Sequence, residues 1–301
     1  MEIKDKVAIL GFGNVGKYAL EAINAAPDLK LAGIVELPRP GLEDETKHLN
    51  IPVVDSIKDL HEIKIALLCL PTRLVPEAAK DVLSMGINTV DSYDIHGELA
   101  LHRKKLDQIC RSNNSVAIIS AGWDPGTDSM IRCMFEFMTP KGITFTNFGP
   151  GMSMGHSVAA RAIPGVKDAL SITMPQGAGI HSRIVYIETE TGYSLEQITQ
   201  NIKADSYFAH DETTIIEVDN INDLIDKGHA VSMERKGVSG STHNQLLKFE
   251  MRINNPALTA QIMVSSARAA LKQKPGAYTM IEVPIIDFLP GDRDEIIRKY
   301  V

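Results

Sequence analysis

An indole and two carboxylates follow strand-like segments of the sequence and could together hold an amino group. Trp123 and Asp124 lie in a turn rich in glycine and proline, shortly after the apolar run Val116–Ile119. Asp94 follows another short apolar segment at residues 89–90. Because the carboxyl ends of parallel strands meet at one edge of a sheet, we expect both carboxylates to approach the same crevice. Two carboxylates beside an aromatic wall favour an ammonium ligand.

Each of these three residues also has a purely structural explanation. Trp123 could fill the core, and Asp124 could cap the helix that the following residues predict. Asp94 could cap a helix starting near residue 95, although Glu98 lies four residues after it rather than the three of a capping box. Helix capping is a good explanation for Asp94 or for Asp124 taken singly. It is a weaker explanation for the presence of both. The spacing leaves both explanations open.

A glycine-rich loop near the start of the chain is typical of a dinucleotide site. Residues 7–10 predict a strand and residues 17–26 have the apolar spacing of a helix, with Gly11, Gly13 and Gly16 between them. The first glycine permits a tight turn, the second lets the backbone approach a pyrophosphate, and the third lets helix and strand pack closely. The predicted cofactor-binding residues of this loop are Gly11, Phe12, Gly13, Asn14, Val15 and Gly16.

The end of the second predicted strand bears on the choice of cofactor. Glu36 lies twenty residues after Gly16, where a carboxylate accepts hydrogen bonds from the adenosine ribose. A carboxylate there repels a 2′-phosphate, so Glu36 alone favours NAD over NADP. Arg39 could turn towards a 2′-phosphate and soften that preference. Alternatively, Glu36 points to solvent.

Alternating strands and helices indicate the fold of the first part of the chain. Strands are predicted at residues 7–10, 29–35, 53–54, 65–70, 89–90 and 116–119, with helices at 76–84 and 99–111. This alternation predicts a doubly wound parallel sheet of the Rossmann type. The strand ends also supply the remaining expected cofactor contacts, which are Cys69, Pro71, Thr72, Ser92 and Tyr93.

The later part of the chain predicts a second domain of α+β type. Its predicted strands are residues 169–173, 183–189, 215–218, 229–234 and 245–252, with a helix at 195–205. We expect an open mixed sheet with one face free for substrate or a second subunit. The predicted division is a dinucleotide-binding domain at 1–122, a substrate-binding and dimerisation domain at 123–255, and a segment at 256–301 that packs back on the first domain. In that segment we predict helices at residues 257–271 and 292–301. We predict a β-like run at residues 278–289.

Three polar residues of the second domain are candidates for binding a carboxylate. Thr173, Arg183 and His229 stand at ends of predicted strands, and arginine offers the planar fork that a carboxylate fits. Each could instead be solvated or paired structurally. Residues 149–157 form a loop of small residues, which either lets a ligand touch backbone groups or connects two domains flexibly.

Composition excludes several classes of function. The net charge of −7 argues against nucleic acid or an anionic membrane as the main partner. Three scattered cysteines show no metal-type or disulfide spacing, so we expect no metal and a reducing compartment. The first residues lack a signal-peptide pattern, and the longest strongly apolar run, residues 65–71, is too short to span a bilayer. We therefore expect a cytoplasmic protein.

Several motifs together resemble the meso-diaminopimelate D-dehydrogenase family over nearly the whole chain, and more specifically its branch of broad activity on D-amino acids. The glycine loop is generic, whereas the other motifs are specific in combination. They are the segments at residues 90–94 (VDSYD), 120–126 (SAGWDPG), 147–157 (NFGPGMSMGHS) and 253–256 (INNP).

The resemblance implies oxidative deamination of the D-centre of meso-2,6-diaminopimelate to L-2-amino-6-oxopimelate and ammonia, reversible as reductive amination of 2-keto acids. It also implies an NADP cofactor and a homodimer. By the same match Asp94 and Asp124 are the expected catalytic residues, because one of them, or a water held by one, accepts a proton from the substrate ammonium. The expected substrate-binding residues are Trp123, Phe148, Met154 and Gly155 at the reacting end and Thr173, Arg183, His229 and Asn255 at the distal end.

Two positions distinguish this chain within the family pattern. Met154 stands where strict diaminopimelate enzymes usually have glutamine, which resembles the broad-specificity branch. Glu36 stands where the family usually has serine or arginine followed by basic residues, so NAD stays open beside NADP. Two other functions remain as alternatives, namely a reductase of lysine-pathway type and a non-enzymatic dinucleotide-binding sensor.

Overall fold

The computed structural model describes residues 4–224 and 228–301, and the chain divides into two compact units. The first unit combines Met1–Cys133 with Pro256–Val301. The second unit comprises Met134–Asn255.

The described residues form fourteen β-strands and nine α-helices. The strands are β1 (Asp5–Leu10), β2 (Leu29–Val35), β3 (Val53–Val54), β4 (Ile65–Leu68), β5 (Asn88–Asp91), β6 (Val116–Ile119), β7 (Lys141–Phe148), β8 (Gly151–Met152), β9 (Val166–Gly177), β10 (Ile180–Thr189), β11 (Glu212–Glu217), β12 (Gly228–Ser239), β13 (Thr242–Asn254) and β14 (Gly276–Thr279). The helices are α1 (Asn14–Ala25), α2 (Leu42–Thr46), α3 (Val75–Ser84), α4 (Leu99–Asn113), α5 (Thr127–Met138), α6 (Met154–Arg161), α7 (Leu195–Ala204), α8 (Asn255–Ala270) and α9 (Arg293–Tyr300).

The first unit is built on a seven-stranded sheet in the order β14-β6-β5-β4-β1-β2-β3. Every pair of neighbouring strands in it is parallel. The strand order reverses beside β1, as in doubly wound dinucleotide-binding sheets. The predicted Rossmann fold is therefore confirmed.

The central strands form because their residues are apolar on both faces. Val7, Ala8 and Ile9 of β1 are fully buried, as are all four residues of β4. Strands buried on both faces read as continuous apolar runs. Helix α1 buries Gly16, Ala19 and Ile23, which share one helical face. This packing fixes the carboxyl ends of the strands, where the loops with polar residues begin.

The second unit contains two small sheets among its described residues. One is a four-stranded mixed sheet in the order β11-β10-β9-β8, in which β10 pairs parallel with β11 and antiparallel with β9. The other is a three-stranded antiparallel sheet in the order β13-β12-β7. Ile198 and Ile202 of α7 pack with Val185 and Ile187 of β10 in a buried cluster. The predicted α+β domain is confirmed, with its strands divided between the two sheets.

Two segments differ from the sequence-based expectation. The small-residue loop at 149–157 contains strand β8 and the start of helix α6. The β-like prediction for residues 278–289 was wrong beyond Thr279, where 3₁₀ turns follow. There Thr279 and Glu282 form a capping box that starts a 3₁₀ turn, and Pro284 precedes a second one.

None of the helices in the described ranges is long and apolar enough to cross a membrane.

Candidate active site

The glycine loop of the first unit has the geometry of a phosphate cradle. Gly11 has a φ of +91°, and a Cβ there would lie 2.5 Å from the carbonyl oxygen of Cys69. A Cβ on Gly16 would collide with the carbonyl oxygen of Gly11, so this position requires glycine for helix and strand to pack. A Cβ on Gly13 would meet no atom within 4 Å. The space above Gly13 is therefore open to a ligand.

The start of α1 leaves backbone donors available for an anion. Gly13 is its N-cap and forms no side-chain cap bond, and the first turn contains no acidic residue. Backbone N–H groups at such a helix start bind phosphate. The loop and the helix thus fit a dinucleotide pyrophosphate.

Glu36 and Arg39 both contact the glycine loop. The Glu36 carboxylate accepts a hydrogen bond from the backbone N–H of Phe12. Arg39 donates to the Phe12 carbonyl oxygen at 3.3 Å and forms an ion pair of 2.7 Å with Glu45. Lys17 pairs with the same Glu45 carboxylate at 3.1 Å. Glu36 is therefore turned to the loop rather than to solvent, and two nearby cations are bound to one glutamate.

The charges around Glu45 have a clear electrostatic effect. Hydrogen bonds from Arg39 and then Lys17 lower the pKa of the Glu45 carboxyl to about 2. Neither Glu45 nor Lys17 was predicted to be part of this cluster. Glu45 lies in the short helix α2, whose sequence shows no helical spacing of apolar residues.

A hydroxyl joins the loops after β4 and β5. Thr72 donates to the Asp94 carboxylate at 2.6 Å, and the Asp94 N–H donates to the Thr72 hydroxyl at 3.3 Å. Asp94 is exposed and precedes a 3₁₀ turn whose N-cap is Ile95, so it does not cap that turn. The structure thus brings Thr72 and Asp94 together and leaves the Asp94 carboxylate accessible.

The other predicted strand-end residues differ in their exposure. Pro71 is exposed and Ser92 partly exposed. The Tyr93 ring is 1% exposed within the core and its hydroxyl donates to Glu98 at 2.8 Å, while burial raises its pKa to about 12. Burial also raises the pKa of the Cys69 thiol to about 12, which leaves it protonated. The Tyr93 side chain is therefore closed to a ligand.

Asp91 joins the ends of β5 and β6 and was missed as a functional residue. Its Oδ1 accepts hydrogen bonds from the N–H groups of Tyr93 and Ser120, both at 3.0 Å. Its backbone oxygen accepts from Ala121 at 2.6 Å. Burial raises the pKa of the Asp91 carboxyl to about 6, against the lowering effect of these bonds. Its place in the motif at residues 90–94 was the only signal for it.

The loop that carries Trp123 and Asp124 leads into α5. Trp123 is 7% exposed, so most of its surface is buried within the protein. Helix α5 begins at Thr127, and Asp124 accepts a hydrogen bond from Arg132 at 3.1 Å. Asp124 is therefore paired with an arginine one turn into the helix rather than with a helix-start N–H.

In the second unit, the register of β9 and β10 places Thr173 opposite Arg183. Arg183 donates to the Thr173 hydroxyl at 2.5 Å and to the Asp211 carboxylate at 2.6 Å. His156 is 4.0 Å from Asp211, and burial, with a smaller effect of Arg183, lowers the pKa of His156 to about 4. At neutral pH this cluster has one positive and one negative charge. Asp211 and His156 were not predicted, since neither lies in a regular pattern.

A second group of the same unit surrounds the Phe148 ring. The Phe148 N–H donates to His181 at 2.7 Å, and its ring centroid lies 5.6 Å from that of His181 and 6.4 Å from that of His229. His229 is 6% exposed, and its Nδ1 is 3.0 Å from the Met152 carbonyl oxygen. The structure therefore brings Phe148 and His229 together and adds His181.

The remaining predicted residues lie at helix starts. Met154 and Gly155 are the first residues of α6, and Asn255 is the first residue of α8. Among the residues described, no group of three His, Cys, Asp or Glu side chains could hold a metal ion.

Comparison with known proteins identifies the relatives of this architecture. Residues 6–91 match the family described as "Oxidoreductase family, NAD-binding Rossmann fold". Residues 122–180 match the family described as "Diaminopimelic acid dehydrogenase C-terminal domain". The meso-diaminopimelate D-dehydrogenase of Bacteroides fragilis is 56% identical over 99% of this chain and 99% of its own length.

Solved structures agree along the whole chain. The diaminopimelate dehydrogenase of C. glutamicum in complex with DAP has a TM-score of 0.87 at 27% identity and covers 99% of both chains. An engineered D-amino acid dehydrogenase bound to NADP+ has a TM-score of 0.83 at 26% identity and covers 99% of this chain and 100% of its own.

Proposed function

Because the chain belongs to the meso-diaminopimelate D-dehydrogenase family, we propose that it oxidises the D-centre of meso-2,6-diaminopimelate with a nicotinamide dinucleotide. The substrate, with its reacting amino group as ammonium, the oxidised dinucleotide and water give L-2-amino-6-oxopimelate, free ammonium, the reduced dinucleotide and a proton. The reverse reaction is reductive amination of a 2-keto acid to a D-amino acid. The full-length identity of 56% carries this assignment.

In this function the first unit binds the dinucleotide. The open space at Gly13 and the donors at the start of α1 take the pyrophosphate. Residues at the ends of β4 and β5, including Pro71, Thr72 and Ser92, contact the cofactor. Bound there, the dinucleotide supplies the hydride acceptor.

The cofactor is NADP as in the family, with NAD accepted because of Glu36. Binding of NADP+ by the engineered D-amino acid dehydrogenase supports NADP. Two features argue against a strong preference for NADP over NAD. The Glu36 carboxylate accepts a hydrogen bond from the Phe12 N–H, and Glu45 pairs with both Arg39 and Lys17. A 2′-phosphate would have to draw these cations away from Glu45 and tolerate Glu36.

Asp94 and Asp124 bind the reacting amino group and move its proton. The ammonium must lose a proton before its Cα can give up a hydride, and one of the two carboxylates, or a water that it holds, accepts that proton. Thr72 orients Asp94 and Arg132 orients Asp124. In the first unit the indole of Trp123 is the expected apolar contact of the substrate. In the second unit the family resemblance assigns Phe148, Met154 and Gly155 to the binding of the reacting end.

The distal amino-acid end is bound by residues of the second unit. The Arg183 guanidinium takes the distal carboxylate, with Thr173 beside it and Asp211 fixing its orientation. His229 and Asn255 contact the same end of the substrate. Met154, whose side chain lacks a hydrogen-bonding amide, admits D-amino acids without a distal polar group.

Initial rates with NADP and NAD test this function. Wild-type protein should reduce the dinucleotide with meso-2,6-diaminopimelate and, more slowly, with simple D-amino acids. Asp124→Asn should lose at least about a hundredfold in turnover, typical of removing a proton acceptor, while still binding the dinucleotide. Absence of turnover with both dinucleotides across a D-amino-acid panel would refute the assignment.

We also propose that the protein is a homodimer. In the three-stranded sheet, β13 is an edge strand paired with β12, and its residues Leu247, Phe249 and Met251 are only partly buried. An apolar edge strand of this length is normally covered. We assign a second copy of the chain as its cover. Light scattering should give the mass of a dimer for wild type and of a monomer for Phe249→Asp, and a monomeric wild type would exclude this assembly.

A further inference from the structure

Asp128 is a buried carboxyl group next to the proposed catalytic machinery of the first unit. It is the second residue of α5 and is 0% exposed. Neither of its carboxyl oxygens has a hydrogen-bond partner among the residues described. Buried polar side chains nearly always have such partners, and an unpartnered buried charge is costly. Asp128 therefore needs an explanation other than stability.

Its charged neighbours connect it to Asp124. Arg132 lies one helical turn after Asp128, with its Nη2 atom 3.7 Å from the Asp128 Oδ2. The Nη1 atom of the same guanidinium binds Asp124 at 3.1 Å. Arg132 is always protonated, so a single positive charge is shared between two carboxyl groups. Asp124 is partly exposed and Asp128 is not.

The protonation state of Asp128 determines how strongly the Arg132 guanidinium interacts with Asp124 and with Asp128. Burial, and to a smaller extent repulsion from Asp124, raises the pKa of the Asp128 carboxyl to about 7, while Arg132 lowers it. Below that pH Asp128 is neutral and Arg132 is held by Asp124. Above it Asp128 is negative and competes for the guanidinium from the same face of the helix.

We propose that Asp128 is a positioning residue that acts through Arg132, so that its ionisation draws the guanidinium from Asp124 and releases the catalytic carboxylate from its productive orientation. This inference rests on the proposed function, since it assigns Asp124 a role in amine binding. Asp128 thus makes the amine site sensitive to pH in the neutral range.

The test compares pH profiles of kcat/KM for wild type and Asp128→Asn with meso-2,6-diaminopimelate. The asparagine is close in shape and always neutral, so its kcat/KM relative to wild type should rise about tenfold between pH 6 and pH 8, the effect of one charge-assisted hydrogen bond. Glu77→Gln is the matched control. Glu77 is an exposed carboxylate on α3 paired with Lys80, and this variant should follow wild type at every pH.

A second variant tests the route through Arg132. In an Arg132→Gln background, Asp128→Asn should cause no pH-dependent change, because the shared guanidinium is gone. Should Asp128→Asn fail to fold, Arg132→Gln alone should lack the ionisation near pH 7 seen in wild type.

The outcomes separate the two proposals. A ratio of kcat/KM that stays constant from pH 6 to pH 8, or an Asp128 effect that persists without Arg132, overturns the positioning role and leaves the function intact. Wild-type protein without turnover of any D-amino acid overturns the function and the inference together.

Discussion

Glu36 is the residue that most distinguishes the cofactor site of this chain. Its carboxylate accepts a hydrogen bond from the Phe12 N–H in the glycine loop, and the nearby Arg39 and Lys17 both pair with Glu45, so the two cations face two carboxylates. Sequence spacing identified Glu36 and Arg39 but not Glu45, because an ion pair between a loop and a short helix leaves no periodic pattern. The local charge balance at this end of the site is therefore near zero.

Replacing Glu36 by arginine should shift cofactor preference towards NADP. Glu36→Arg removes a carboxylate that repels the 2′-phosphate and adds a cation that pairs with it, so the ratio of kcat/KM for NADP to that for NAD should rise by about tenfold or more. Steady-state kinetics with both dinucleotides measure it. Glu43→Arg, an equal change of charge at an exposed site in α2, should leave the ratio within about twofold. An unchanged ratio in Glu36→Arg would place Glu36 outside the cofactor site.

Asp128 should also make folding stability depend on pH. Its pKa is 3.8 in the unfolded chain and about 7 in the folded one, so the folded state retains a proton that the unfolded state loses. The contribution of Asp128 to stability is thus fully present below pH 4, is lost as the pH rises to about 7, and is constant above that, with a total loss of roughly 4 kcal/mol. In urea unfolding from pH 4 to pH 8, the free energy of unfolding of wild type minus that of Asp128→Asn should fall by this amount, because the other titrating groups are common to both proteins. Parallel curves for the two proteins would contradict a raised pKa.

At the level of elements, the parallel sheet was predictable and the loops between strands were only partly so. The strands β2, β3 and β6 were predicted at their observed bounds. Strand β6 is buried along its whole length and is therefore a continuous apolar run, whereas β2 and β3 are partly exposed but rich in β-branched and other apolar residues. Strand β8 and helix α6 were missed, since a two-residue strand and a helix starting with Met154 and Gly155 resemble a loop. The residues 278–289 are rich in apolar side chains, but the capping box of Thr279 and Glu282 and then Pro284 start 3₁₀ turns in place of a strand.

Asp91 connects two elements, and its removal should destabilise both strand ends. Asp91→Ala leaves the buried N–H groups of Tyr93 and Ser120 without their acceptor, which should cost about 2–4 kcal/mol in the free energy of unfolding. The same change should lower kcat/KM, because the loop with Trp123 and Asp124 begins at Ser120. Asp81→Ala, at an exposed carboxylate of α3, is the control. A loss below about 0.5 kcal/mol in urea unfolding would show that Asp91 does not hold these loops.

A substitution at Gly13 should change dinucleotide affinity without changing the free energy of unfolding. Alanine has room at this position and the φ of −80° suits it, so Gly13→Ala should keep the free energy of unfolding within about 0.5 kcal/mol of wild type. The added methyl group fills the space for the pyrophosphate, so dinucleotide binding should weaken more than about tenfold. Calorimetric titration measures the binding, with Gly97→Ala, another position with open space, as the control. Unchanged affinity in Gly13→Ala would argue against a pyrophosphate at this loop.

At the scale of the whole molecule, the sequence predicted the fold class and the family, while the geometry supplied the partners of the candidate residues. The pairs Thr72–Asp94, Arg132–Asp124 and Arg183–Asp211 join residues that are 22, 8 and 28 positions apart in the sequence. No periodic pattern encodes such contacts, because they depend on which strand ends become neighbours in the fold. The comparisons then showed that the chain belongs to the meso-diaminopimelate D-dehydrogenase family.

The most direct test of the account is the stoichiometry and stereochemistry of the reaction. Purified protein with meso-2,6-diaminopimelate and excess dinucleotide should form one reduced dinucleotide and one ammonia for each substrate consumed. The LL isomer, which has no D-centre, should give neither product. Equal oxidation of the LL isomer, or no reduced dinucleotide from the meso isomer with NADP or NAD, would contradict the assignment as a D-specific dehydrogenase.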